Sequence, residues 1–379
     1  MPRPDVAVRL KSVDVLRAIA VLLVLGRHSV PCPTATSLVL WAASSLWIRG
    51  GWMGVDLFFV LSGFLLSGLL FREFQRFGSL DIVRFLVRRG FKIYPAFWLL
   101  IAYTIWRYTG WPPGDLLASE LLFVQNYFPS LWGHTWSLAV EEHFYFCLAL
   151  LFAWLAARRR FGAVPWVFAA LAASCLGLRL ATAWYRPFSY YTQMYPSHLR
   201  LDSLFFGVLL SYLYHQSPDA FLRVARTRRV PLLIGGAVLL SLPFFFTLER
   251  TPFVYTVGLS QLYLGSGMVL VASLGFPPRR SRAIDALAYI GSHSYSIYLW
   301  HMAVRVWIAP SIVGTDDPQS RWFTFMAVYL AGSLAIGIAM ATLVEFPVLR
   351  LRDRWFPSRA RLSVAIETAD RREEAGHLL

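Results

Sequence analysis

The sequence predicts an all-α membrane protein with about ten transmembrane helices and with both termini in the cytoplasm. Of its 379 residues, 57% are hydrophobic and 16% are aromatic. The mean hydropathy of +0.53 is far above that of a soluble globular chain. The apolar residues form long segments and most charged residues lie between them, so we expect a bundle of membrane-spanning helices.

Ten segments are long and apolar enough to cross about 30 Å of hydrocarbon. They are 13–31, 52–72, 91–110, 134–157, 163–184, 199–216, 230–248, 255–276, 287–309 and 322–346. Two further stretches are predicted at the membrane surfaces: an amphipathic cytoplasmic stretch, 80–89, and an aromatic-rich outer loop, 111–133. The chain then divides into a transmembrane domain, 1–350, and a charged cytoplasmic tail, 351–379.

The arginines determine the predicted orientation. They cluster in alternate connections, at 72–89, 158–160, 223–229 and 279–282. Cytoplasmic loops are enriched in Lys and Arg, so these connections are predicted to be cytoplasmic. This topology accounts for the net charge of +15, and we expect no nucleic-acid partner. The predicted location is the inner (plasma) membrane, in contact with lipid.

The first predicted helix carries an arginine and a histidine on one face. His28 follows Arg17 by eleven positions, and eleven helical steps return almost to the same azimuth and span roughly 16 Å along the axis. An ionisable side chain that faces lipid costs several kcal/mol, so both are predicted to face protein or a wet cavity. The alternative is a snorkelling arginine with a histidine at the interface.

A cluster of cations opens the third predicted span. Arg88, Arg89 and Lys92 precede Tyr94 at its cytoplasmic end. They could bind a multiply phosphorylated ligand through charge-assisted hydrogen bonds. Equally, they could only fix the topology and contact lipid headgroups.

Two adjacent carboxylates lie at the outer end of the fourth span. Glu141 and Glu142 point about 100° apart on a helix, and at least one of them needs a partner inside the bundle. Such a carboxylate could orient an imidazole or take part in proton transfer. The alternative is an interfacial pair that lipid headgroups solvate.

Other polar residues occur where spans begin or end. Asp56 lies in the outer part of the second span, and Arg200 and Asp202 open the sixth. The charges at 200 and 202 either line an external cavity or form a structural ion pair. The polar run 294–301 favours close helix packing through its small hydroxyl residues. Neither the histidines nor the three cysteines have a metal-ligand spacing, so no metal is predicted.

In this order the motifs resemble those of the membrane acyltransferase family 3, the O-acyltransferases that modify bacterial surface glycans, lipids and some small molecules. The resemblance covers about residues 11–350. It depends on four ordered elements: Arg17 with His28, the stretch Gly54 to Gly63, Trp136-Ser137-Leu138 with Glu141, and the stretch Ser294 to His301.

The resemblance implies a ten-helix bundle that takes an acyl group, most commonly acetyl, from cytoplasmic acyl-CoA. The acceptor would be a hydroxyl of an extracytoplasmic glycan or glycolipid. The predicted catalytic residues are His28, Arg17 and Glu141, the predicted acyl-CoA-binding residues are Arg88, Arg89, Lys92 and Tyr94, and the predicted acceptor-binding residues are Asp56, Trp136, Ser137, Arg200, Asp202, Tyr298 and His301. The family's Arg-x-x-Arg falls on Arg89 and Lys92, and a lysine cannot make the planar fork of an arginine.

The predicted chemistry has two variants. Neutral His28 removes a proton from the acceptor hydroxyl, which attacks the thioester, or His28 itself carries the acyl group. Arg17 would stabilise the developing negative charge or position the CoA arm. A transporter or flippase for a lipid-linked sugar is the alternative from another class, because such bundles also contain buried charges. Against it, the sequence shows no inverted repeat.

Overall fold

The computed structural model describes residues 11–34, 36–108, 111–276, 281–314 and 317–359. Every regular element of these residues is helical. Two of the predicted cytoplasmic arginines, Arg279 and Arg280, and the greater part of the predicted tail, 360–379, lie outside the described residues.

The helices follow one another closely along the chain. They are α1 (Lys11–Arg27), α2 (Leu38–Gly50), α3 (Met53–Phe77), α4 (Ile82–Arg107), α5 (Gly114–Leu121), α6 (Trp136–Arg158), α7 (Val164–Tyr185), α8 (Leu201–Gln216), α9 (Pro218–Thr227), α10 (Arg229–Leu240), α11 (Leu242–Phe245), α12 (Pro252–Tyr255), α13 (Val257–Leu274), α14 (Arg282–Ser292), α15 (Ser294–Ala303), α16 (Ala309–Ile312), α17 (Pro318–Met340) and α18 (Phe346–Trp355). Single 3₁₀ or π-helical turns join several of them, at Gly133–Thr135, Phe161–Ala163, Tyr190–Met194, Ser197–Leu199, Val304–Ile308 and Ala341–Glu345.

Five helical stretches of the described residues are long and apolar enough to cross a membrane. They are Met53–Phe77, Gly133–Arg158, Phe161–Tyr185, Val257–Leu274 and Pro318–Trp355. The pair Pro218–Thr227 and Arg229–Phe245, bent by 77°, adds a sixth if it forms one broken span. The prediction of an all-helical chain with several apolar helices is therefore confirmed, while the number ten and the orientation of the termini stay predictions.

The remaining predicted spans have shorter or more charged helices. Helix α1 has 17 residues and contains both acidic and basic side chains, and α8 has 16 residues. Helix α4 is longer, 26 residues, but its first half contains Arg84, Arg88, Arg89 and Lys92. These helices can cross a bilayer only where their charges face other helices or a polar cavity.

Several predicted boundaries differ from those of the structure. The amphipathic stretch 80–89 and the third predicted span are one continuous helix, α4, which Asp81 caps and which contains Pro95. The predicted span 287–309 is divided at His293 into α14 and α15. Helices α2 and α9 were not predicted, because 13 and 10 residues are too few for a spanning segment.

Glycines bring the helices that carry the site into close contact. A Cβ on Gly291 would lie 1.7 Å from the Asp14 carbonyl oxygen, and one on Gly54 would lie 2.4 Å from the Ala20 carbonyl oxygen. Only a residue without a side chain allows backbones to approach so closely. Helix α1 is thereby held between α3 and α14, so Arg17 and the residue that follows the helix, His28, lie inside the bundle or at its cavities.

Candidate active site

Two histidines from distant parts of the chain meet just beyond the end of α1. The Nδ1 atom of His28 lies 3.0 Å from Nε2 of His301, which α15 carries. His301 is fully buried, whereas His28 is partly exposed. The expectation that His28 faces the protein interior agrees with this arrangement.

Carbonyl oxygens determine which ring nitrogens carry protons. Nδ1 of His301 lies 2.5 Å from the Tyr298 carbonyl oxygen, so this nitrogen must donate, and Nε2 of the neutral ring is an acceptor. Nδ1 of His28 faces that acceptor and also the Val24 carbonyl oxygen at 3.2 Å, so it must donate too. The neutral His28 ring then has its lone pair on Nε2, where a proton can be received.

A third histidine completes the cluster. The ring of His134 packs edge-on against His301, with centroids 5.1 Å apart, and its centroid lies 6.5 Å from that of His28. Its Nε2 contacts the Leu299 carbonyl oxygen at 3.2 Å, and its buried Nδ1 has no hydrogen-bond partner within the part of the chain that the structure describes. His134 was not among the predicted site residues.

Three hydrogen bonds to main-chain carbonyls fix the end of α1. The guanidinium of Arg305 donates to the His28 carbonyl oxygen. The Tyr329 hydroxyl donates to the Leu25 carbonyl oxygen at 2.9 Å, and the Trp322 indole donates to that of Val30 at 3.0 Å. Carbonyls that a helix end leaves unpaired are thus satisfied by side chains, and the imidazole of His28 is held in one position.

A cavity of about 260 Å³ lies between α1, α3, α4, α6 and α15. Its polar lining residues are Arg17, Ser62, Arg89, Lys92, Ser137, Glu141, Tyr145, Ser294, Tyr295 and Tyr298. The rest of the lining is apolar and comes mainly from α3. Six of the predicted site residues, at positions 17, 89, 92, 137, 141 and 298, are therefore brought together around one space.

The cations of this cavity differ in their partners. Lys92 forms an ion pair with the buried Glu345, which also accepts a hydrogen bond of 2.7 Å from Ser296. Arg17 lies 3.8 Å from Asp14. The guanidinium of Arg89 lies 6.0 Å from the centroid of the Phe85 ring and has no ion pair with any described residue, so Arg89 is the cation best placed to receive an anionic ligand.

Arg88 lies apart from this cavity. It pairs with Asp353 at 3.0 Å and donates to the Phe356 carbonyl oxygen. These partners lie at the end of α18 and just after it, where the Pro357 carbonyl oxygen also contacts Arg84 at 3.1 Å. The prediction that Arg88 binds acyl-CoA therefore requires this end of the chain to move.

The two adjacent glutamates have different tyrosine partners. Glu141 lines the cavity and accepts a hydrogen bond of 2.6 Å from the Tyr145 hydroxyl. Glu142 is buried and accepts one of 2.9 Å from the Tyr94 hydroxyl. Neither hydrogen bond involves an imidazole, so these contacts favour Glu141 as a cavity carboxylate among cations over a carboxylate that orients His28.

A tyrosine separates the cavity from the histidine cluster. The hydroxyl of Tyr298 lies 2.6 Å from the Ser137 hydroxyl and 2.6 Å from the His134 carbonyl oxygen. Its ring centroid is 5.8 Å from that of His301. The cavity thus ends at Tyr298, and the histidines lie on the other side of that ring.

The charged residues predicted to bind the acceptor form buried ion pairs. Arg200 pairs with Asp56 at 2.8 Å, and all of both side chains is buried. Asp202 pairs with Arg179, which donates further to the Thr256 carbonyl oxygen at 3.1 Å. The sequence left open whether Arg200 and Asp202 line an external cavity or form structural ion pairs, and this geometry favours structural ion pairs.

Trp136 lies against one of these buried charges. The guanidinium carbon of Arg200 is 5.7 Å from the centroid of the Trp136 ring, within the range of a cation–π contact. Trp136 also stacks on Tyr195, with ring centroids 4.7 Å apart. Arg200 therefore helps to hold the start of α6, close to His134 and Ser137.

A family profile with the description "Acyltransferase domain" matches residues 10–342. This match extends over most of the chain and includes each motif around the cavity and the histidine cluster. The chain belongs to acyltransferase family 3. The resemblance derived from its ordered motifs is confirmed.

This acyltransferase-family chain has relatives among curated bacterial proteins. It is 28% identical to the peptidoglycan O-acetyltransferase OatA of Listeria monocytogenes, over 89% of this chain and 55% of that protein. It is 25% identical to the O-acetyltransferase OatA of Staphylococcus aureus, over 79% of this chain and 51% of that protein. The chain spans about half the length of these relatives. No solved structure gives a significant match.

Some residues of the site had weak or absent signals in the sequence. Arg179 lies alone inside the apolar segment 163–184, and a cation there indicates a buried partner. His134 precedes the Trp136-Ser137-Leu138 element by two residues, and this position is its only signal. Glu345 pairs with Lys92 across 253 residues of the chain, and this pairing depends on the tertiary fold. Among the described residues no cluster of acidic, histidine or cysteine side chains could hold a metal ion.

Proposed function

We propose that this family member is an integral-membrane O-acyltransferase that moves an acetyl group from acyl-CoA to a hydroxyl of an extracytoplasmic glycan or glycolipid. The observation that carries the proposal is the pair of acceptors facing Nδ1 of His28, the Val24 carbonyl oxygen and Nε2 of His301. They leave the lone pair of His28 on Nε2, which is the protonation state a general base needs.

In the proposed reaction, Nε2 of His28 takes the proton of the acceptor hydroxyl. The oxygen attacks the thioester carbonyl, the C–S bond breaks, and CoA leaves as the thiolate, which takes up the proton that His28 releases. The positive charge that develops on His28 is supported by the hydrogen bond from Nδ1 to His301. An acyl-histidine intermediate on Nε2 is the second form of the same chemistry.

The cavity supports the proposal on the donor side. Its volume of about 260 Å³ lies just below the roughly 300–1,000 Å³ of typical small-molecule sites, so it suits an extended arm better than a complete nucleotide. Arg89 and Arg17 provide charge for phosphates, while the apolar α3 side favours a pantetheine chain. Movement of the Tyr298 ring would connect this space with His28. The arginine-rich connections support a cytoplasmic donor site.

The relatives support a glycan acceptor, because the Listeria protein is named a peptidoglycan O-acetyltransferase. A cytoplasmic acyl-CoA donor and an extracytoplasmic acceptor require a protein that crosses the membrane, and the apolar helices agree with this requirement. The proposed location is the inner (plasma) membrane of a bacterium.

The test measures release of CoA from acetyl-CoA by the purified protein in nanodiscs, in the presence of the cell-envelope fraction as the acceptor source. His28→Ala is expected to lower the rate by about 10²- to 10⁴-fold, the usual contribution of a general base. His198→Ala is the matched control, since His198 is exposed and stacks on Tyr127 away from the cluster. If wild-type protein releases no CoA, the transporter for a lipid-linked sugar becomes the preferred function. If His28→Ala and His198→Ala are equally active, the base is another residue.

A further inference from the structure

A row of stacked aromatic rings runs from the histidine cluster towards the surface. Trp136, two residues after His134, stacks on Tyr195 at 4.7 Å and 16°. Tyr195 in turn stacks on Tyr190 at 5.4 Å and 29°. Trp136 is 7% exposed, whereas both tyrosines are half-buried. The row therefore becomes more accessible with distance from the cluster.

A charged pair lies at the outer end of this row. The hydroxyl of Tyr190 accepts a hydrogen bond of 2.7 Å from Arg27 and donates one to Glu249. Arg27 also contacts the Glu249 carboxylate at 3.3 Å, and the two side chains are 25% and 41% exposed. Partial burial opposes ionisation of Glu249, but the hydrogen bonds from Tyr190 and Arg27 hold its pKa below the ordinary value. The carboxylate is thus ionised at neutral pH.

This arrangement differs from an aromatic belt at a membrane interface. Belt residues place apolar rings among lipid headgroups, whereas a partly exposed guanidinium and carboxylate at the Tyr190 hydroxyl indicate access to water. Arg27 is the last residue of α1 and directly precedes His28 in the chain, so one member of the charged pair lies next to the proposed catalytic base.

We propose that Arg27, Tyr190, Tyr195 and Glu249, together called the outer platform, bind a sugar ring of the acceptor and present a hydroxyl to His28. The assignment rests on the proposed function and names the binding site for its acceptor. A sugar ring has an apolar C–H face, which suits a half-buried tyrosine ring, and hydroxyls at its edge, which suit a carboxylate acceptor and a guanidinium donor. An acyl chain has no hydrogen-bonding groups that could pair with Arg27 and Glu249.

The test uses the full chain in nanodiscs with radiolabelled acetyl-CoA and the cell-envelope fraction as the acceptor. Glu249→Gln is expected to raise the amount of envelope needed for half-maximal transfer about tenfold, since a hydrogen bond to a charged group is lost. Tyr190→Phe keeps the ring and is expected to raise it about threefold. The half-saturating concentration of acetyl-CoA is expected to stay at the wild-type value in both. The matched control is Tyr185→Phe, because Tyr185 is 78% exposed at the end of α7.

Four outcomes are distinguishable. A rise in acceptor half-saturation alone, at unchanged thermal stability, supports the outer platform. Loss of thermal stability together with equal effects on both substrates would mean that the pair only fixes the loops, and would overturn the inference. Wild-type acceptor half-saturation in both variants, while His28→Ala is inactive, would overturn the inference and leave the proposed function intact. No CoA release from wild-type protein would overturn the proposed function, and this inference with it.

Discussion

His28 and His301 are 273 residues apart in the chain, and their facing ring nitrogens are 3.0 Å apart in the structure. The contact joins the end of α1 to α15 and determines the tautomer of both rings. His28 is proposed as the base that touches the acceptor, so His301 acts through it, as a positioning residue. This division of roles can be tested by changing the second histidine alone.

His301→Ala is expected to lower the transfer rate on the order of 10²-fold, because Nδ1 of His28 loses an acceptor and its ring is no longer fixed. His301→Gln is expected to restore most of the rate, since an amide oxygen can accept the same hydrogen bond. The measurement is initial CoA release at saturating acetyl-CoA. A structural role alone predicts the same loss in both variants, together with reduced thermal stability.

Arg89 provides the second prediction, which concerns the donor. Its guanidinium has no ion pair within the described part of the chain and lines the cavity with Arg17. Arg89→Ala is expected to raise the half-saturating concentration of acetyl-CoA roughly 10- to 100-fold, the effect of losing a charge-assisted hydrogen bond. Arg89→Lys is expected to recover only part of this, since an ammonium cannot make a planar two-point contact with phosphate.

The control for this prediction is Arg226→Ala, at an exposed position in α9. It changes the net charge by the same amount, so it separates local contact from overall electrostatic attraction. Acetyl-CoA saturation curves that coincide for Arg89→Ala and Arg226→Ala would show that the donor phosphates bind elsewhere.

The end of α18 and the residues that follow it provide a third prediction. Asp353 and two main-chain carbonyls hold Arg88 and Arg84 near the start of α4. Asp353→Asn weakens this hold, so it is expected to lower the half-saturating acetyl-CoA concentration a few-fold if Arg88 can also bind phosphate. The double variant Asp353→Asn with Arg88→Ala should cancel the gain. An unchanged saturation curve for Asp353→Asn would confine donor binding to the cavity cations.

The sequence was sufficient for some parts of the site and insufficient for others. Arg17, Arg89 and Glu141 could be predicted as site residues, because charged side chains in apolar helices are costly and need an interior partner or cavity. All three residues also belong to motifs of the family that the sequence resembles. The partners of these residues could not be predicted, because pairs such as Lys92 with Glu345 depend on which helices become neighbours.

The fold was predictable to a similar extent. Apolar segment length identified α3, α6, α7, α13 and α17, each of which contains a long apolar stretch with few charged residues. It failed for α2 and α9, which are too short, and for 287–309, which is divided at His293. The polar residues around His293 were interpreted as favouring close helix packing, and they do not by themselves show whether the helix continues.

Arg200 and Asp56 allow the structural and acceptor-binding roles to be separated. Both side chains are fully buried, and removal of one partner of such a pair leaves an uncompensated charge. Arg200→Met is therefore expected to destabilise the protein by about 3–5 kcal/mol, measured by unfolding in detergent. Asp285→Ala, which breaks the exposed pair with Lys11, is the control and should cost about 0–1 kcal/mol. If Arg200→Met is as stable as the wild-type protein but binds the acceptor less well, the acceptor-binding role of Arg200 is restored.

Glu120 predicts a pH dependence of stability outside the membrane-spanning helices. It lies in α5, and burial raises its pKa from 4.5 to about 7, although hydrogen bonds from the Trp132 N–H and the Thr135 hydroxyl oppose the shift. The folded state therefore holds the proton more tightly than the unfolded state. The stabilisation is fully present below about pH 4.5 and is lost as the pH rises through about 7.

The Tm of wild-type protein is expected to fall between pH 5 and 8, and Glu120→Gln, which stays neutral, should reduce that fall. Asp115→Asn, at an exposed position of the same helix, should keep the wild-type slope. Parallel curves for Glu120→Gln and wild type would mean that the carboxyl group does not titrate in this range.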